Sequence, residues 1–255
     1  MVDPMPYQMT VSPDFTPDHI SGWYIFNTWL QRSLGEDIHL ELYDAFDQQR
    51  DAILAGKVDI IYANPYDAAM LVREKGFLPI ARPRRSADEA VIAVHVDHSA
   101  QKVEDLSAGI SIAATDDPDV NLMCNIMLEP AELNTNNTTR TIKTSYPLVA
   151  RALIRRQTDL GFFLAEAFDS LSSLTRRELR PLVCSQIQVI HHALLVGPRL
   201  AERQDSLREL MMDMAQDGKG AGVLQSLGFE AWQPMDDEEM EFMIDLMDTL
   251  SYQPA

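Results

Sequence analysis

The sequence is poor in cysteine, in basic residues and in long apolar runs. Its two cysteines, Cys124 and Cys184, form no Cys-x-x-Cys pair and have no histidine at zinc spacing, so no metal site is expected. Both lie in apolar runs, where a free buried thiol is the ordinary reading. Lys and Arg number 21 against 39 Asp and Glu, a net charge of −18. So acidic a surface repels nucleic acid and anionic lipid, which argues against a DNA-binding protein but not against a local basic pocket. No apolar run reaches the roughly 18 residues a membrane span needs, so membrane insertion is not expected. The first residues, Met1-Val2-Asp3-Pro4-Met5-Pro6, carry neither a basic n-region nor an apolar h-region. The chain reads as cytoplasmic as written, or as periplasmic if a leader has been removed. Gly-x-Ser-x-Gly, the P-loop, Gly-x-Gly-x-x-Gly and His-Glu-x-x-His are all absent. With no nucleophile–base pair either, no catalytic residue and no cofactor are expected.

What is present is the composition of a chain with a real core. Of 255 residues, 46% are apolar and 24% charged. The length suits one large domain or two small ones. Both ends are strongly acidic and the middle is nearly neutral, as for a chain that leaves one lobe and later returns to it.

Strands and helices alternate. Tyr7–Val11 reads as a strand, stopped by the loop Ser-Pro-Asp-Phe-Thr-Pro-Asp at 12–18. Trp23, Phe26, Leu30 and Leu34 recur at helical spacing, and Gly35 closes that helix. Strands are expected at 39–43, 58–62, 78–81 and 90–96, and helices at 46–54 and 66–75. A second series follows, with strands at 110–114, 140–143 and 159–163 and helices at 118–128, 147–156 and 164–173. Residues 182–184 and 189–196 are apolar and extended. Two helices finish the chain, carrying Leu207, Leu210, Met211, Met214 and then Met240, Met243, Ile244, Met247 at i, i+3, i+4, i+7. Such methionine stripes read as core, and the acidic run Asp236–Glu239 reads as the favoured negative start of the last helix. The pattern predicts an α/β fold with mainly parallel sheets in two lobes.

The informative loops are those that follow strands, because ligands of open α/β sheets bind at the carboxyl ends of strands. These are Tyr62-Ala63-Asn64-Pro65-Tyr66, Thr115-Asp116-Asp117-Pro118-Asp119-Val120-Asn121, and Lys143-Thr144-Ser145-Tyr146-Pro147. Each precedes a helix whose first N–H groups can hold a small anion. Asp116-Asp117 could serve acid–base chemistry, but capping by Asp117 explains it without any. His191-His192 points one ring to each face of a strand, which suits a structural or hinge role.

The order of these segments resembles the phosphonate, phosphite and phosphate solute-binding proteins of ABC transporters. The resemblance runs from about Tyr7 to Trp232. Its strongest piece is Leu54-Ala55-Gly56-Lys57-Val58-Asp59-Ile60-Ile61-Tyr62-Ala63-Asn64-Pro65-Tyr66; Asp117-Pro118, Ser145-Tyr146, Asp159-Leu160-Gly161 and the Leu-x-x-Leu-Gly-Phe segment ending at Phe229 support it. It implies a type II periplasmic binding protein fold, two α/β lobes joined by a two-strand hinge near Val94–Asp97 and Val189–Val196. Lobe one would hold residues 1–97 and 192–255, and lobe two residues 98–191. The resemblance also implies a non-enzymatic protein that closes two lobes over a small oxyanion or phosphonate-like ligand and serves an ABC permease. A cytosolic sensor or adaptor of the same fold, read by a signalling protein, is the alternative. The implied ligand residues are Tyr62, Asn64, Tyr66, Asn121, Ser145 and Tyr146, with Phe46 as an apolar wall, the backbone N–H groups of Val120 and Asn121 open to an anion, and Glu89 and Asp119 facing the cleft.

The pocket departs from the family pattern. Phosphonate binders of this kind carry a Ser-Thr-Ser cluster after Asp-Pro-Asn; here the stretch is Asp117-Pro118-Asp119-Val120-Asn121-Leu122. Hydroxyls are lost and a carboxylate is gained, Phe46 lacks the phenol oxygen expected there, and Tyr146 stands at a histidine position. Altered specificity follows as an expectation. Cys124, on the cleft helix, would be the contact for a soft ligand such as arsenite if it were not core.

Overall fold

The computed structural model describes residues 5–15 and 19–251. Met1–Pro4 and the end of the first loop, Thr16, Pro17 and Asp18, lie outside the described residues. Eleven strands run in chain order among them: β1 Tyr7–Val11, β2 Ile38–Leu40, β3 Ile60–Ala63, β4 Leu78–Pro83, β5 Ala90–His95, β6 Ser111–Ala114, β7 Thr139–Ile142, β8 Leu160–Leu164, β9 Leu179–Cys184, β10 Ala193–Val196 and β11 Trp232–Pro234. The described residues divide into two compact units, those within 5–86 with 191–247, and 87–190 with 248–251. The first boundary comes earlier than the expected residue 97. Residues 90–95 pair with β8 and β9, so Val94 and His95 belong inside the second sheet and not to a linking strand.

Unit one is built on a six-stranded sheet in the order β11-β4-β10-β3-β1-β2. β1 runs parallel to β2 and β3, while β10 is antiparallel to β3 and β4. The helix Ile20–Leu34 has its predicted bounds and ends on Gly35 at φ 67°. It buries Trp23, Phe26 and Leu30 against Met9, Val11 and Ile60. Its second partner is a helix that the sequence reading lacked, Gly218–Leu227. Glycines at 218, 220 and 222 lower helix propensity there, and tertiary contact overrides it. A Cβ at Gly22 would stand 2.2 Å from the Ser226 carbonyl oxygen, so glycine is what lets the two helices approach. The last helix, Asp237–Ser251, places Met240, Met243 and Ile244 in a second cluster with Leu71 and Leu195. The methionine stripe is core, as expected.

Unit two holds a five-stranded sheet in the order β7-β6-β8-β5-β9. β6 is parallel to β7 and β8, and β5 is antiparallel to β8 and β9. The helix Pro118–Met127 starts at Pro118, and Tyr146–Ile154 buries Val149, Ala150, Ala152 and Leu153. The single helix expected over 164–173 is two short ones, Ala165–Ser170 and Ser173–Arg177, because Ser172 caps the second through Thr175 N–H. The helix expected at 66–75 is a short α-helix, Pro65–Ala69, that widens into a π-helix over Met70–Glu74. β2 stops at Leu40, short of the expected Tyr43. No described helix is long and apolar enough to cross a membrane.

The cysteines part company. Cys124 is fully buried, and burial pushes its thiol well above the ordinary value. Cys184 is exposed, against expectation, because it ends β9, the edge strand of its sheet.

Candidate functional site

In unit one the carboxyl ends of β1, β2 and β3 carry a dense polar layer. Gln49, fully buried on the helix Phe46–Leu54, donates to Thr10 Oγ1 at 3.0 Å and to the Val11 carbonyl at 2.8 Å. Asn64 follows β3 and caps the helix Pro65–Ala69. Its Oδ1 accepts from Asp67 N–H at 2.8 Å, and its Nδ2 donates to Asp67 Oδ2 at 2.8 Å and Ser12 Oγ at 3.1 Å. Asn64, expected to line the pocket, therefore spends its amide on the scaffold. Asp67 in turn holds Arg50, with Nε to Oδ1 at 2.6 Å and NH2 to Oδ2 at 3.2 Å. The guanidinium lies 5.6 Å from the Phe46 ring centroid and 5.3 Å from that of Tyr66. Phe46 is buried and Tyr66 is about half exposed.

The ring of Tyr62 belongs to an aromatic cluster. It stands 4.8 Å from Trp23, 5.2 Å from His192 in a stacked arrangement, and 5.8 Å from Phe229. His192 Nε2 lies 2.9 Å from Asp14 Oδ2, and both side chains are buried. Burial alone would raise the Asp14 carboxyl, but the His192 charge and hydrogen bonds from His192 and Ser12 outweigh it and hold the group below the ordinary carboxylate value. His191 Nδ1 meets the Ser86 carbonyl at 2.6 Å. The adjacent histidines thus serve two separate partners, as their alternation predicts.

In unit two the key residue is Asp117. Its Oδ1 accepts from the N–H groups of Asp119 at 3.1 Å and Val120 at 3.2 Å, and its Oδ2 accepts from Tyr146 Oη at 2.6 Å. The Asn121 N–H bonds to the Asp117 carbonyl at 3.1 Å. The expectation that the N–H groups of Val120 and Asn121 stay open to an anion is therefore corrected. A carboxylate of the chain already occupies the positive helix end. Asn121 is spent too: its Nδ2 donates to the carbonyls of Thr115 and Asp117 at 2.8 and 2.7 Å, and its Oδ1 accepts from Arg140 at 3.4 Å. Asp119 is buried in the first turn of the same helix. Glu89, just before β5, accepts from the Ser185 hydroxyl and from Gln188 N–H at 2.7 Å. Ser145 takes the N-cap position of the helix Tyr146–Ile154 without a side-chain capping bond.

The loops expected at the strand ends each carry a hydrogen-bonded polar cluster within their own unit. The polar layer of unit one also contains Arg50, Gln49, Ser12, Asp14 and His192, which the strand-end loops alone do not include. Arg50 left one local signal, its spacing of four from Phe46 on one helix face; the others meet through tertiary contact alone.

Two α/β units, each with polar strand-end loops feeding helix N-termini, define a binding protein of the type II periplasmic kind. The profile of the ABC-transporter phosphonate periplasmic substrate-binding proteins matches residues 9–240, and the chain belongs to that family. Solved structures agree in fold. PhnD1 from Prochlorococcus marinus, in complex with methylphosphonate, is 10% identical with a TM-score of 0.81, over 96% of this chain and 97% of that one. A binding-protein component of an ABC phosphonate transporter from Pseudomonas aeruginosa is 15% identical with a TM-score of 0.75, over 98% and 90%. The aliphatic sulphonate binding protein SsuA from Escherichia coli is 15% identical with a TM-score of 0.66, over 96% and 91%. No curated protein matches by sequence.

Proposed function

We propose that this chain is a non-enzymatic solute receptor that delivers a small ligand to an ABC permease, with a specificity changed from that of phosphonate binders. Its strand-end loops read the ligand, as the carboxyl ends of strands do in open α/β sheets. Phe46, Tyr66, Ser145 and Tyr146 form the direct lining; Tyr62, Asn64 and Asn121 support it from the scaffold. The observation that carries the changed specificity is Asp119, a buried carboxylate in the first turn of the helix Pro118–Met127, where the family's hydroxyl cluster is missing. A dianion at that helix end meets fewer hydroxyl donors and an added carboxylate. Losing one hydrogen bond to a charged group costs about 1.5–3 kcal/mol, enough to change the preferred ligand.

A thermal-shift screen of the full chain tests the reading, using phosphonates, phosphite, phosphate, sulfonates, carboxylates, amines and zwitterions. A ligand at 100 times its dissociation constant adds about 2.7 kcal/mol to stability, a readily measured shift. Methylphosphonate as the tightest ligand would reject the changed specificity. A chain stabilised by no solute would reject the receptor reading and favour the sensor or adaptor alternative.

A further inference from the structure

We propose that unit one carries a further ligand site, a cavity beside β1 that takes a small zwitterion, a carboxylate and an amine on one short carbon chain. The cavity has a volume of about 460 Å³, within the range of small-molecule sites. Its polar walls are Gln8 and Thr10 of β1, Glu41 and Tyr43 from the segment after β2, and Lys57 from the segment before β3. The strand register spreads these groups along β1. Glu41 N–H bonds to the Met9 carbonyl, and Asp59 N–H bonds to the Gln8 carbonyl. Glu41 therefore stands beside the later half of β1, and Lys57, two residues before Asp59, stands beside its start. An anionic and a cationic residue thus flank the cavity at its two ends.

Two hydroxyls of the lining are unspent as donors. Thr10 is 1% exposed, and its Oγ1 already accepts from Gln49 Nε2 at 3.0 Å. Its own O–H has no acceptor among the described residues, which leaves a buried donor for an acceptor atom in the cavity. Tyr43 is half-buried, and its phenol has no hydrogen-bond partner among the described residues. Burial, helped by the Glu41 charge, pushes that phenol above its ordinary value, so it stays a neutral donor. Lys57 is exposed and makes no ion pair among the described residues. Glu41 spends one oxygen on His39 Nε2, at 3.2 Å, and keeps the other. A ligand carboxylate is matched by the two hydroxyls and by the Lys57 ammonium, whose flexible four-carbon stem can follow it. A ligand ammonium is matched by Glu41. A simple anion would leave Glu41 unmatched, and a simple cation would leave Lys57 unmatched.

Calorimetry on the full chain, with 4-aminobutyrate, butyrate and butylamine as probes, tests the proposal. 4-Aminobutyrate is expected to bind the wild type, and butyrate and butylamine at least about tenfold more weakly, since each lacks one charged group. Lys57→Met and Glu41→Gln change exposed residues, and each should lower the 4-aminobutyrate affinity at least about tenfold. Thr10→Val, checked as folded by circular dichroism, should lower it several-fold, and Thr10→Ser, which keeps the hydroxyl, should not. If the valine variant does not fold, the two exposed positions decide. A zwitterion held elsewhere on the chain would bind Lys57→Met and Glu41→Gln as well as it binds the wild type, and that result overturns the proposal. So does a wild type that binds no 4-aminobutyrate, or one that binds all three probes equally. Each of those results leaves the solute-receptor reading standing, because none of these residues is in its lining.

Discussion

The two units handle negative charge at their strand ends in opposite ways. Unit one pairs its carboxylates with nitrogen-bearing side chains: Asp14 with His192, and Asp67 with Arg50. Unit two uses neutral donors, with backbone N–H groups and a phenol on Asp117, and a hydroxyl and an N–H on Glu89. Both give a buried carboxylate oxygen a hydrogen-bond partner. They differ in the kind of partner: histidine and arginine side chains in unit one, backbone N–H groups and hydroxyls in unit two.

The largest effect is expected from breaking the ionic solution. Asp14→Asn leaves His192 buried without its carboxylate and should cost about 3–5 kcal/mol in denaturant unfolding. The pH dependence has a definite sign. The Asp14 carboxyl is depressed in the folded chain, so its contribution is complete above the unfolded value and is lost as pH falls through the folded one. Wild-type stability should therefore fall below about pH 4, and Asp14→Asn should flatten that part of the profile. A variant with an unchanged acid limb would refute the pairing.

Breaking the neutral solution should cost less. Asp117→Ala removes a cap, for which about 0.5–2 kcal/mol is typical. Denaturant unfolding of the variant measures that loss. Tyr146→Phe removes one donor from the same carboxylate and should cost about 1 kcal/mol, leaving the cap in place. The smallest effect concerns the thiols. Cys184 should react with a thiol reagent in the native protein, and Cys124 only after unfolding; mass spectrometry of the labelled peptides reads both, and neither modification order requires a change in stability.

Much of the fold was legible because apolar periodicity is local. The helices Ile20–Leu34 and Phe46–Leu54 have their predicted bounds, and β1 does as well. The helix Gly218–Leu227 was illegible, since three glycines hide a helix that packing against Gly22 sustains. The candidate site was half legible. Strand-end loops could be located, and capping by Asp117 was apparent from Asp-Pro. Its second role, as acceptor for Tyr146, joins residues from two helices and leaves no local trace. Arg50 looked like any surface arginine until Asp67 and Tyr66 closed around it.

The sequence by itself determined the alternation of elements, the acidic surface, the methionine core stripes and the family, because periodicity, composition and motif order are carried by neighbouring residues. Only the tertiary structure decided which polar groups are spent on the scaffold and which face outward. A hydrogen bond or ion pair selects its partner in space, and here Asp14 with His192, Asp67 with Arg50, and Asp117 with Tyr146 are each brought together from distant parts of the chain.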